Sequence, residues 1–258
     1  MIAPCLMMRQ AGTQLTEWER CPRSRPRQIM STIESNLQAV RARITAAARA
    51  AGREPGAITL LAVSKTFAAD AVRAAHAAGQ SEFGENYVQE GMEKIAALSA
   101  LPLIWHFIGP IQSNKTRSIA EHFAWVHSVA REKIARRLAQ ARPERLGPLD
   151  ICLQVNVSGE ASKSGVAPEE VGSLADAIRA LPRLRLRGLM AVPEPSDDAE
   201  LQRRRFRGLR ELLQQLNAAG FGLDTLSMGM SQDLEAAIME GATIVRVGTA
   251  IFGERART

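Results

Sequence analysis

The feature that most constrains the fold is an alternation. Eight short strand-like runs, at about residues 58–63, 82–84, 104–108, 125–127, 150–155, 184–189, 225–227 and 243–247, are separated mostly by segments with helical spacing. Strand followed by helix, repeated, implies parallel strands joined by helical crossovers. Eight such units point to a closed barrel rather than an open sheet, and 258 residues suit the roughly 250 of a single (β/α)8 barrel. No linker or low-complexity stretch interrupts the body. The expectation is an α/β chain with one TIM-type domain over residues 30–258.

A helix is predicted over Thr32–Ala51, with Leu37, Val40, Ile44 and Ala48 on one face and Gly52 as a stop. Ser31 and Glu34 have the spacing of a capping box. Residues 1–29 are dense in Arg, Pro and Gln, without a helical period or the apolar core of a signal peptide. They read as a disordered extension, with Met30 as the natural start.

The net charge of +6 raises a nucleic-acid partner. Half of it lies in residues 1–29, aromatics are few, and no zinc-finger or RNP pattern occurs, so a solvated basic surface is the reading and no nucleic acid is expected. No run approaches the ~20 apolar residues of a membrane span. Cys152 alone of the three cysteines falls in the body, which argues against a disulfide framework and for a reducing, cytoplasmic setting. No Cys/His cluster has metal-ligand spacing.

In barrels of this type the site lies at the C-terminal strand ends, and this chain's unusual residues collect there. Lys65 follows the apolar run Leu60–Val63. An amine held near apolar walls can attack an aldehyde, although a lone lysine after a strand is ordinarily a surface residue. The loops after strands 7 and 8 are common phosphate sites. Ser231, before a helix predicted over Gln232–Glu240, and Gly248 with Thr249 fall in those loops; the plainer reading is that Ser231 only caps the helix and Gly248 only makes a turn. Asn86 and Met228 end strands 2 and 7. His106 and His127 read as packed, hydrogen-bonded core histidines, and Glu85 as exposed, either functional or holding a loop.

These residues form an ordered set of motifs. They are Leu61-Ala62-Val63-Ser64-Lys65-Thr66, Phe83-Gly84-Glu85-Asn86-Tyr87, Trp105-His106-Phe107-Ile108-Gly109-Pro110, Ser162-Lys163-Ser164-Gly165, Ser227-Met228-Gly229-Met230-Ser231 and Val245-Arg246-Val247-Gly248-Thr249. Together they resemble the YggS/PROSC family over about residues 30–255. The resemblance implies a barrel like the alanine racemase N-terminal domain that binds pyridoxal 5′-phosphate (PLP). Lys65 matches the Schiff-base lysine, and Arg246 the arginine facing the pyridine nitrogen. Ser231, Gly248 and Thr249 match the phosphate positions, and Asn86 and Met228 are further pocket residues. The function implied is carrying or buffering PLP, with apo PLP-dependent enzymes as partners.

Two departures from racemases bear on activity. The second racemase base, a tyrosine on a C-terminal domain, has no counterpart, since the one tyrosine, Tyr87, sits in another motif. A permanent cation at the ring nitrogen also weakens the ring as an electron sink. A PLP carrier without turnover is therefore the expectation. An amino-acid racemase using Lys65 as its only base, and a phosphate-binding barrel without PLP, are the competing readings. Monomer and weak dimer stay open.

Overall fold

The computed structural model describes residues 25–158 and 164–254, with side chains from Thr32 onward. Helix α1 (Arg25–Ala50) precedes the first strand. Then come β1 (Thr59–Val63), α2 (Ala69–Ala77), β2 (Glu82–Glu85), α3 (Val88–Ala97), β3 (Ile104–Phe107), α4 (Thr116–His122), β4 (Trp125–Val129) and α5 (Glu132–Ala141). The chain continues through β5 (Leu149–Gln154), α6 (Val171–Arg179), β6 (Leu184–Met190), α7 (Ala199–Ala218), β7 (Thr225–Ser227), α8 (Leu234–Met239), β8 (Ile244–Val247) and α9 (Thr249–Phe252). The eight strands close in sequence order, all parallel, into the expected barrel.

The strands are apolar because both faces are covered, one by helices and the other by the barrel interior. Closure is direct: β1 pairs with β8, placing Leu61 opposite Arg246 and Ala62 opposite Val247. Outside this seam lies α1, whose buried stripe Ile33, Leu37, Val40, Ile44 and Ala48 packs against α2, α8 and α9. Arg43 of α1 pairs with Glu235 and also donates to the Ser231 carbonyl at 3.0 Å. The helix that covers the seam thus also holds the loop after β7.

This helix starts earlier than the sequence suggests. It runs from Arg25, so Ser31 lies inside it rather than at its start. Arg, Gln and Met are good helix formers, and Pro26 falls in the first turn, where a missing N–H is tolerated. The expected disorder of the extension concerns residues 1–24, which lie outside the described residues, apart from its helical end at 25–29. Two further boundaries move for the same kind of reason. The Gln232–Glu240 helix is only Leu234–Met239, because Asp233 accepts from the Met230 N–H and makes a turn of the preceding residues. The residues after β8 form the short α9, with Gly248 at its start.

Gly188 marks the closest strand approach. A Cβ there would sit 1.8 Å from the Thr225 carbonyl oxygen, inside the β6–β7 ladder. Gly188→Ala should cost at least about 2 kcal/mol and lower the melting temperature by roughly 4–8 °C. Thermal unfolding checks this; an unchanged midpoint would mean that β6 and β7 do not approach so closely.

Candidate functional site

The C-terminal strand ends surround a cavity of about 540 Å³. Six of the seven proposed ligand-binding residues line it: Lys65, Asn86, Ser231, Arg246, Gly248 and Thr249. The seventh, Met228, is fully buried in the core and does not reach it. Gly229, at φ +92°, breaks strand alternation after β7, and Met230 lines the cavity instead.

Lys65 is half-buried at the end of β1, and both its chain neighbours are clamped. On one side, Lys94 of α3 donates to the Ser64 carbonyl at 2.6 Å. On the other, the Thr66 N–H donates to Glu90 Oε1 at 2.5 Å. Lys94 bridges the two, donating to Glu85 Oε1 at 2.7 Å and Glu90 Oε1 at 2.6 Å, and the Ser64 hydroxyl donates to the same Glu85 oxygen at 2.6 Å. Thr66 adopts φ +68°, a left-handed conformation that a β-branched residue holds only when its surroundings impose it. The clamp supplies that constraint.

Glu85 is therefore not the exposed residue expected. It is fully buried, because the strand turns its side chain under α3. Burial pushes its carboxyl above the ordinary carboxylate range, against the opposing pull of Lys94 and Ser64, and Oε2 has no hydrogen-bond partner. Nothing in the spacing of Glu85, Glu90 and Lys94 indicated this cluster. Only the i, i+4 relation of Glu90 and Lys94 on a helix was legible.

Arg246 projects from β8 into the barrel and is 4% exposed. One terminal nitrogen donates to Ser227 Oγ and the other to the Ala191 carbonyl, each at 2.8 Å. Burial lowers its pKa to about 10, so it stays a cation at neutral pH. His106 and His127 are buried and hydrogen-bonded to each other at 2.9 Å.

Ser231, Gly248 and Thr249 line the same cavity. Gly248 approaches the neighbouring strand closely: a Cβ there would come within 3.1 Å of the Val63 carbonyl oxygen. The segment after β6 adds Val192, Pro195 and Ser196, and α7 adds Gln202, whose amide donates to the Ser196 carbonyl. This wall was missed, since a Pro-rich loop carries no periodic signal. Asp233 was missed as well. Of the Ser162–Gly165 motif, Ser164 and Gly165 are described, whereas Ser162 and Lys163 lie outside the described residues. Among the described residues, no group of His, Cys, Asp and Glu could hold a metal, and no helix is long and apolar enough to cross a membrane.

A family model described as the alanine racemase N-terminal domain matches residues 35–256. A Pseudomonas aeruginosa relative named pyridoxal phosphate homeostasis protein is 66% identical over 226 residues, covering 88% of this chain and 97% of the relative. The chain belongs to the pyridoxal phosphate homeostasis protein family. An Escherichia coli member of that name is 52% identical over 229 residues, covering 88% of this chain and 98% of the relative. Among solved structures, PipY of Synechococcus elongatus with PLP bound is 37% identical with a TM-score of 0.75, covering 86% of this chain and all of that one. An alanine racemase of Clostridium difficile shares the fold alone, at 15% identity and a TM-score of 0.69, with 88% of this chain and 58% of that one covered.

The homeostasis family and the site geometry meet at the donor set. A cationic, donor-only side chain, a lysine amine and a Gly-Thr turn with a second hydroxyl surround one cavity. That set fits an aromatic aldehyde carrying a phosphate.

Proposed function

We propose that this chain binds PLP and carries or buffers it in the cytoplasm for apo PLP-dependent enzymes, without turning over amino acids. Lys65 holds the aldehyde carbon as a Schiff base. Arg246 faces the ring nitrogen, Ser231, Gly248 and Thr249 hold the phosphate, and Asn86 contacts the ring side. Residues 30–258 act as one cofactor-binding domain. The observation that carries the reading is that the amine, the guanidinium and the Ser/Gly/Thr cluster line the same cavity.

Each residue has a physical task. The clamp on Ser64 and Thr66 fixes where the Lys65 side chain begins. The Ser231 and Thr249 hydroxyls donate to phosphate oxygens, and Gly248 lets the backbone approach them. PLP supplies electron withdrawal when its ring is protonated. Arg246 has donors and no acceptor, so it pairs with a ring nitrogen that keeps its lone pair and opposes protonation there. Tyr87 is 57% exposed and does not line the cavity, so it offers no second base at this site.

Titration of the purified protein with PLP, followed by absorption, tests the reading. Saturable uptake with a band removed by borohydride is expected. Joint replacement Ser231→Ala and Thr249→Val should weaken PLP binding by about 100-fold or more, since each of the two hydrogen bonds to a charged group is worth about 1.5–3 kcal/mol, and should leave pyridoxal, which lacks the phosphate, unaffected. Equal losses for both ligands would remove the phosphate assignment. Interconversion of D- and L-amino acids by the loaded protein would overturn the carrier reading in favour of a racemase.

A further inference from the structure

The interior of this barrel contains a polar string. Glu82 stands at the N-terminal end of β2 and Arg246 near the C-terminal end of β8. Between them, His106 of β3, His127 of β4 and Ser227 of β7 are each fully buried. The links are Arg246 Nη1 to Ser227 Oγ at 2.8 Å, Ser227 Oγ to His127 Nδ1 at 2.8 Å and His127 Nε2 to His106 Nδ1 at 2.9 Å. The last is His106 Nε2 to Glu82 Oε2, a 3.1 Å contact off hydrogen-bond alignment.

The chemistry of the two ends sets the direction of the whole. Arginine only donates, so Ser227 Oγ accepts from it. The hydroxyl has one proton, and its other partner is His127 Nδ1. The hydroxyl oxygen has two lone pairs, but accepting from both partners would leave a bare His106 Nε2 against the Glu82 carboxylate, so the hydroxyl donates to His127 Nδ1 and that nitrogen is bare. Burial holds both imidazoles below the ordinary histidine range, so each ring carries a single proton. The His127 proton is therefore on Nε2, donated to His106 Nδ1. By the same step the His106 proton is on its own Nε2, facing the Glu82 carboxylate.

We propose that Ser227, His127, His106 and Glu82 are positioning residues for Arg246, joined in a one-way string in which every hydrogen points from the arginine toward Glu82. The string ends on the one group that can only accept when ionised. It fixes the guanidinium in rotation at the cavity wall. It conducts no proton, because arginine does not release one at neutral pH.

The inference rests on the cofactor reading only in its affinity arm. The test uses the full chain, labelled with 15N-histidine and free of cofactor, at pH 7.5. Long-range 15N–1H spectra should show one protonated nitrogen in each of His106 and His127, Nε2 in both. In Ser227→Ala, His127 Nδ1 should shift toward the value of an unbonded nitrogen, and the PLP dissociation constant should rise about tenfold, as one lost hydrogen bond predicts. A proton on Nδ1 of either ring in the unsubstituted chain, or two protons on either, reverses the string and ends the proposal. So does a Ser227→Ala chain whose His127 resonances and PLP affinity both match the parent. If the parent itself takes up no PLP, the cofactor reading fails, and the histidine resonances still decide the string.

Discussion

Lys65→Ala is expected to abolish covalent attachment of PLP while leaving the barrel folded. A Schiff base requires a primary amine, and Lys65 is the lysine that lines the cavity with Arg246 and Thr249. Borohydride treatment of the loaded parent, followed by peptide mapping, should place the pyridoxyl group on the Lys65 peptide, and the variant should yield none. Lys65 is half-buried at the mouth rather than in the core, so the melting temperature should change by no more than about 2 °C. Label found on Lys115 or Lys163 instead would transfer the attachment point, and the orientation assigned to Arg246 would go with it.

The largest loss of stability is expected from Lys94→Met. Lys94 is the cation that compensates Glu85, whose side chain is 0% exposed. Removing one partner of a buried pair leaves the other charge uncompensated, a change that typically costs about 3–5 kcal/mol, here about 10 °C in melting temperature. The loss should also depend on pH. Burial already raises the Glu85 carboxyl above its ordinary 4.5, and Lys94 opposes that rise. Without Lys94 it rises further. An acid whose folded pKa exceeds its unfolded value binds more protons when folded, so stability falls as pH increases from about 4.5 through the folded pKa. The deficit against the parent should thus be greater at pH 8 than at pH 5. Because Lys94 also holds the Ser64 carbonyl, PLP affinity should fall at both values. A deficit independent of pH would show that Glu85 is not the group left uncompensated.

The fold was legible because its signal is repetitive. Most of the apolar runs are strands buried toward their C-terminal ends, and the spacing of α1 marks its buried stripe directly. Boundaries slipped where a local hydrogen bond outweighed the pattern, as where Asp233 captures the Met230 N–H and shortens α8. The site divides similarly. Lys65, Arg246, Gly248 and Thr249 were legible from their places at strand ends, since the barrel delivers those positions to one face. Met228, which the resemblance offered as a pocket residue, is fully buried and does not line the cavity, whereas Met230, beyond Gly229 at φ +92°, does. Of the Lys94 clamp only the Glu90–Lys94 helix spacing was legible, and the Glu82–Arg246 string was invisible. Apart from that pair, their members lie on different elements up to 164 positions apart in sequence, and only the folded barrel makes them neighbours.

The seam between β1 and β8 has a consequence for the making of the protein. Lys65 leaves the ribosome about 180 residues before Arg246. At about 5–20 residues per second, its amine exists for on the order of ten to forty seconds before the strand that completes the grip has been translated. On the proposed assignment, a nascent or prematurely terminated chain would hold the Lys65 amine without the Arg246 cation or the Gly248-Thr249 turn, so firm retention of the ligand would require a chain that extends through β8 and the turn after it.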